Sequence, residues 1–164
     1  MNGFKVILAL SLFMALGACA SKFRTYDGPE VTRIVINKAD RQMFLISGKD
    51  VLSTHSVDLG FAPAGAKQFE GDGRTPEGSY IIDRRNPNSA FHLSLGISYP
   101  NATDVEVARA AGKSPGGDIF IHGKATPLQM RGNDWTAGCI SVSNREIERI
   151  YAMVRDGTAI DIYP

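Results

Sequence analysis

The sequence predicts one mainly β (β-rich α+β) domain, an antiparallel sandwich or part-closed barrel with two short helices packed outside. Three observations carry that expectation. Short runs of alternating or β-branched apolar residues outnumber helical ones. Turn residues recur between those runs, with 17 glycines and 8 prolines in 164 residues. Only two stretches carry the paired signals of a capped helix. A chain of this length supports one hydrophobic core. Its 43% hydrophobic and 21% charged content excludes a wholly disordered protein, and a formal charge of +1 gives no electrostatic case for nucleic acid.

The elements follow in order. Lys5 precedes an apolar run from Val6 to Leu16, shorter than the ~20 residues a spanning helix needs. Its length fits the apolar region of a signal peptide. It ends in Leu16-Gly17-Ala18-Cys19, which resembles a bacterial lipobox. The resemblance implies a lipoprotein signal peptide over 1–18 and a lipid carried by Cys19. With Ala20 rather than Asp following, it also implies a periplasmic protein anchored in the outer membrane. A plain secretory signal with a chance cysteine is the alternative. Several acyl chains would anchor the protein durably, and no membrane contact beyond that anchor is expected. Residues 19–31 read as the lipidated N-terminus and a polar tether containing Gly28-Pro29. Residues 32–164 read as the domain, in which Cys139 is left without a disulfide partner.

Within the domain, Thr32–Asn37, Gln42–Ser47 and Val51–Leu59 have strand character and are joined by polar turns as a meander. The Gly- and Pro-rich stretch from Gly60 to Gly78 is a long loop. Strands are expected at Ser79–Asp83 and Phe91–Leu95, about an Arg85-Asn86-Pro87-Asn88 turn. Thr103-x-x-Glu106 is a capping-box pattern opening a helix closed by Gly112. Asp118–Ile121 is strand-like. Ser143-x-x-Glu146 opens a second helix, with Ile147, Ile150, Tyr151 and Val154 on one face and Gly157 as its stop. Thr158–Tyr163 closes the chain.

Chemistry concentrates on Cys139. A nucleophilic cysteine needs a thiolate and a base or cation to maintain it. Gly138, just before it, lets a substrate approach the backbone, and its N–H suits an oxyanion hole. Of three histidines, His122 ends an apolar strand and precedes Gly123, which places its imidazole at a sheet rim. His55 lies in an alternating strand as surface or filler. His92, between Phe91 and Leu93, should point away from their face. The bland alternative for Cys139 is a buried, inert thiol. Three scattered histidines and one cysteine give no zinc spacing, so neither metal nor cofactor is expected.

His122-Gly123, then a loop and Thr136-Ala137-Gly138-Cys139-Ile140, resembles the signature of YkuD-type L,D-transpeptidases. Gly71-Asp72-Gly73-Arg74-Thr75-Pro76-Glu77-Gly78-Ser79-Tyr80 is similar to that family's Gly-Asp-x-x-Thr-Pro-x-Gly-x-Tyr loop. Phe91-His92-Leu93-Ser94-Leu95 with Ile97-Ser98-Tyr99-Pro100-Asn101 is similar to a segment of its single-domain Gram-negative branch. The likeness runs from about Arg33 to the C-terminus. It implies that Cys139 attacks a peptidoglycan stem peptide after the L-centre of a diamino acid, forming a thioester and expelling D-alanine. It implies further that His122 takes the thiol proton and protonates the leaving amine. An imidazolium partner would hold the thiol below its usual ~8.5. The Gly123 carbonyl is the expected orienter of the imidazole, the Gly138 and Cys139 N–H groups are the expected oxyanion donors, and His92, Trp135 and Thr136 the expected substrate wall.

An amine or water would resolve the thioester. Crosslinking of stems, attachment of a peptidoglycan-bound lipoprotein, and hydrolysis by a related L,D-carboxypeptidase or amidase therefore all stay open. Two positions depart from the pattern: Ala137 stands where many relatives have histidine, and Ser141 where many have Arg or Asn. Thr75-Pro76-Glu77-Gly78 has the composition of a type I turn, and Asp72 is expected to pair with Arg74. A sortase would place Arg145 or Arg149 beside the cysteine, but its Thr-Leu-x-Thr-Cys core is absent. A silent peptidoglycan-binding module would need neither Cys139 nor His122.

Overall fold

The computed structural model describes residues 21–124 and 133–164. The signal-peptide reading and Cys19 fall outside the described residues. Eight strands and two helices follow in the order β1 (Arg33–Asn37), β2 (Gln42–Ser47), β3 (Asp50–Ser56), β4 (Gly78–Asn86), β5 (Ser94–Ile97), α1 (Ala102–Ala110), β6 (Phe120–His122), β7 (Ile140–Ser141), α2 (Asn144–Met153) and β8 (Ala159–Tyr163). Alternation drives the first strands: Ile34 and Ile36 of β1 and Met43 and Leu45 of β2 are buried while their neighbours face outward.

The strands form one sheet in the order β3-β2-β1-β8-β4-β5-β6-β7. It is mixed rather than wholly antiparallel. β1 runs parallel to β8, which comes from the far end of the chain to lie between β1 and β4, and β6 runs parallel to β7. β4 is longer than expected and serves both halves: Gly78–Ile81 pairs with β8, Ile82–Asn86 with β5, and the register shifts between Ile82 and Arg84. A bulge at such a point bends a sheet. Beyond β3, Asp58 and Ser141 exchange both backbone hydrogen bonds at 2.8 Å, joining the chain after one edge strand to the opposite edge. Of the two architectures expected, this is the part-closed barrel, a curled sheet with two helices.

The helix starts separate the two capping signals. Ser143 caps α2 as expected, in a reciprocal box with Glu146. α1 instead starts two residues early: Asn101 caps it, accepting from the Asp104 N–H at 3.1 Å, while Asp104 accepts from the Asn101 N–H at 2.9 Å. Asn and Asp supply the same box as Thr and Glu, with a longer arm at the cap and a shorter one at Asp104. α2 lays Ile147, Ile150 and Tyr151 inward, against β5 and β6, and Val154 is already extended before Gly157 is reached. Tyr80 of β4 donates to the Asp104 carboxylate at 3.0 Å, tying α1 to the sheet.

Two loop expectations change. β5 begins at Ser94, because His92 has φ +74 and the chain turns there. No turn forms over Thr75–Gly78, since Gly78 opens β4. The long loop is instead fixed by Lys38, which is 2% exposed and donates to the Gly65 carbonyl at 2.7 Å, the Thr75 carbonyl at 3.1 Å and Glu77 at 2.8 Å. Among the described residues no helix is long and apolar enough to cross a membrane.

Candidate active site

β6 delivers His122 at its C-terminal end, 3% exposed. Its Nδ1 lies 2.6 Å from the Gly123 carbonyl oxygen. A carbonyl can only accept, so Nδ1 carries the proton and the neutral ring leaves Nε2 with its lone pair. The ring packs against Phe91 at 4.5 Å and meets Trp135 edge-on at 5.8 Å. Burial pushes the imidazole below its ordinary 6.5, against the Gly123 carbonyl that favours the charged form. Gly123 is required by crowding, since a Cβ there would come within 2.5 Å of Asn144 Oδ1 and 2.9 Å of the Phe91 carbonyl oxygen.

The parallel register pairs Ile121 with Ile140 and His122 with Ser141, so Cys139 stands level with Phe120. Phe120 and His122 point to the same face of β6, and with Cys139, Asp118 and Phe91 they line one cavity of about 230 Å³. The thiol donates to the Asp118 carbonyl at 3.5 Å and accepts from the Phe120 N–H. Burial pushes the thiol up from its ordinary 9.0, the Phe120 N–H opposes that, and the Asp118 charge adds to it. This reverses the expected depressed thiol: the sulfur's surroundings favour the neutral form, and a buried imidazole resists becoming the cation that would stabilise a thiolate.

The turn before Cys139 is built by Thr136. Its buried hydroxyl donates to the Cys139 carbonyl at 2.6 Å and accepts from the Gly138 N–H at 3.1 Å. The Gly138 N–H is thereby occupied, which leaves Cys139 N–H of the two expected oxyanion donors. Gly138 serves by shape: its φ is +137, and a Cβ would lie 2.7 Å from the Arg74 carbonyl oxygen. Thr136 likewise acts on the backbone, both hydrogen bonds of its hydroxyl going to main-chain groups of the turn. Trp135 flanks His122, and its Nε1 is buried without a partner among the described residues.

His92 is not brought to the cavity. Its positive φ turns the ring away, and Nε2 lies 2.9 Å from Glu148 on α2. His55 is filler: 6% exposed, it sits 2.9 Å from Ser53 Oγ and 3.4 Å from Glu146. Asp72 pairs with Lys67 at 2.8 Å rather than with the Arg74 side chain, and what Arg74 donates to it is its backbone N–H.

Asp134 escaped the sequence reading. Its carboxylate binds Arg41 at 2.7 Å and accepts the Leu59 N–H at 2.9 Å, clamping the loop that leads to Cys139 onto the β1–β2 turn. Only its place beside Trp135 hinted at a role. Among the described residues no three His, Cys, Asp or Glu side chains gather as a metal site.

The model of the YkuD family, the L,D-transpeptidase catalytic domain, matches residues 31–162. Over 109 residues the chain is 30% identical to YafK of Escherichia coli (strain K12), provisionally named an L,D-transpeptidase. That alignment covers 61% of this chain and 39% of YafK, so the chain spans well under half of that relative. Among solved structures, Pgp2, the helical cell shape determining protein of Campylobacter jejuni, superposes with a TM-score of 0.64 at 26% identity, covering 84% of this chain and 49% of that one. L,D-transpeptidase 1 of Mycobacterium tuberculosis shares the fold, with a TM-score of 0.53 at 14% identity over 82% of this chain and 62% of that one. With its family model matched over most of its length and that family's fold around the Cys139 cavity, the chain belongs to the L,D-transpeptidase (YkuD) catalytic domain family.

Proposed function

We propose that the protein is a cysteine-dependent acyltransferase acting on peptidoglycan stem peptides. One observation carries this reading: Cys139 and His122 line the same cavity, and His122 is held in the tautomer whose Nε2 can accept a proton. The thiol proton passes to His122 as sulfur bonds to the donor carbonyl carbon. Burial favours the neutral form of both groups, so in this reading proton transfer accompanies attack instead of preceding it. The Cys139 N–H faces the developing oxyanion. When the amide C–N bond breaks, the imidazolium protonates the departing D-alanine amine and a thioester remains. An incoming amine completes transpeptidation, whereas water completes hydrolysis. We extend the proposal to location, with the protein held in the outer membrane by lipid on Cys19 and facing the periplasm.

Intact-protein mass spectrometry with a tetrapeptide donor, or a carbapenem in its place, tests the mechanism. The wild type should gain an acyl adduct, Cys139→Ser should form no thioester, and His122→Ala should acylate ~10²–10⁴-fold more slowly. An adduct surviving on Cys139→Ser, or full-speed acylation of His122→Ala, would remove the assignment. Analysis of muropeptides after incubation distinguishes crosslinked from hydrolysed products.

A further inference from the structure

The segment read as a tether is not loose where the structure describes it. Phe23 sets its ring 6.4 Å from that of Tyr151 on α2, and Arg24 binds Glu148 at 2.7 Å. Lys22 Nζ donates to the Pro87 carbonyl at 2.6 Å and to the His92 carbonyl at 3.0 Å. Those two carbonyls bracket the connection between β4 and β5, which contributes Ser89 and Phe91 to the Cys139 cavity.

His92 is thus gripped from two sides. Lys22 takes its carbonyl directly, and its ring meets Glu148, the same carboxylate that binds Arg24. Its φ of +74 is a conformation that a side-chain-bearing residue keeps only where surrounding contacts over-determine it. The next residue back is Phe91, whose ring packs on His122. A continuous set of contacts therefore runs from the N-terminal segment through His92 and Phe91 to the imidazole.

We propose that Lys22 and Arg24 are positioning residues for the catalytic site, holding the Pro87–His92 connection so that Phe91 sets the orientation of His122. The proposal rests on the reading of His122 as the base. It makes the stretch next to the lipid attachment point a working part of the domain.

The test uses the full chain carrying Lys22→Met, which keeps the aliphatic stem but removes the donor, and Lys22→Arg, which keeps the charge. The limiting rate of acylation should fall about tenfold in Lys22→Met, as expected for a slightly misplaced catalytic group, with donor affinity little changed. Lys22→Arg should restore most of the rate. Loosening Phe91 admits water to the ring, so the acid limb of the pH–rate profile should move up toward the ordinary imidazole value. The titratable groups sharing the cavity, Cys139 and Asp118, are untouched by either variant. The His122 imidazole signals, titrated by NMR without any donor, should show the same upward move. An unchanged rate and titration in Lys22→Met would overturn the proposal. So would a slowing that Lys22→Arg fails to rescue and that accompanies a general fall in melting temperature. If the wild type itself forms no adduct, the acyltransferase reading fails while the NMR titration still decides this one.

Discussion

Thr136 Oγ1 and the Cys139 carbonyl oxygen lie 2.6 Å apart across a turn of four residues. The same hydroxyl receives the Gly138 N–H, so a single buried oxygen closes the loop that presents the sulfur. A residue with the look of a substrate contact is in fact fully engaged by its own backbone.

Replacing Thr136 by valine keeps the volume and removes both bonds. The stranded N–H and carbonyl should cost about 1–3 kcal/mol of stability, and acylation should slow because the thiol is no longer held. Thr136→Ser should keep most of both. Denaturant unfolding and adduct formation on the two variants check this, and equal stability of Thr136→Val and wild type would contradict it.

The Cys139–His122 pair has a distinct pH signature. Burial raises the thiol above 9.0 and lowers the imidazole below 6.5, so both are neutral between. Iodoacetamide needs the thiolate, and its labelling midpoint should fall above pH 9. Donor acylation needs only unprotonated His122, so it should stay on its plateau at pH 6.5 and decline as pH falls through the lowered imidazole value. His55 is also held low, by burial against the opposing Glu146 charge. The unfolded chain then takes up protons near 6.5 before the folded one does, and stability should drop as pH falls below that value. A labelling midpoint below ~8.5 would indicate a preformed thiolate–imidazolium pair instead.

Lys67 and Asp72 form a buried pair, with side chains 3% and 5% exposed. Burial pushes the Asp72 carboxyl up, but the Lys67 hydrogen bond and the N–H groups of Gln68, Arg74 and Phe69 bring it below the usual carboxylate range. Lys67→Met should cost about 3–5 kcal/mol by leaving that carboxylate unpaired. A lowered carboxyl stabilises the fold above its unfolded value, and the benefit disappears as pH falls through its folded value. The acid-unfolding midpoint of Lys67→Met should therefore move to higher pH. Adding Asp72→Asn should recover part of the loss, and an unaltered urea midpoint in Lys67→Met would refute the assignment.

Cys19→Ser should abolish lipid labelling and membrane fractionation of the full chain. If the variant still carries lipid and sediments with outer membranes, the anchor lies elsewhere.

Residues whose partners are local in sequence were the legible ones. β1 and β2 announce themselves by alternation, and α2 by Ser143, Glu146 and its apolar face. His122 and Gly123 are neighbours, so their contact needs no knowledge of the fold. What stayed hidden depends on long-range topology or on backbone sign. The β6–β7 pairing that sets Cys139 level with Phe120 joins two strands of three and two residues, too short to register as periodicity. His92 reads as strand until its positive φ is known, and that angle decides which way its ring points. Asp72 has a cation two residues ahead and another five behind, and spacing alone does not choose Lys67. Asp134 acts on Arg41, far along the chain, through a clamp that no local pattern encodes.

The reciprocal bonds between Asp58 and Ser141 have a consequence for how the molecule breathes. A two-residue edge strand should ordinarily be among the first elements to open, and amide exchange reports such openings one cooperative unit at a time. Here the Ser141 amide cannot be exposed without also releasing Asp58, and with it the start of the loop that Lys38 and Thr75 hold down. The Asp58 and Ser141 amides should therefore exchange at one common rate, slower than the brevity of β7 alone would allow.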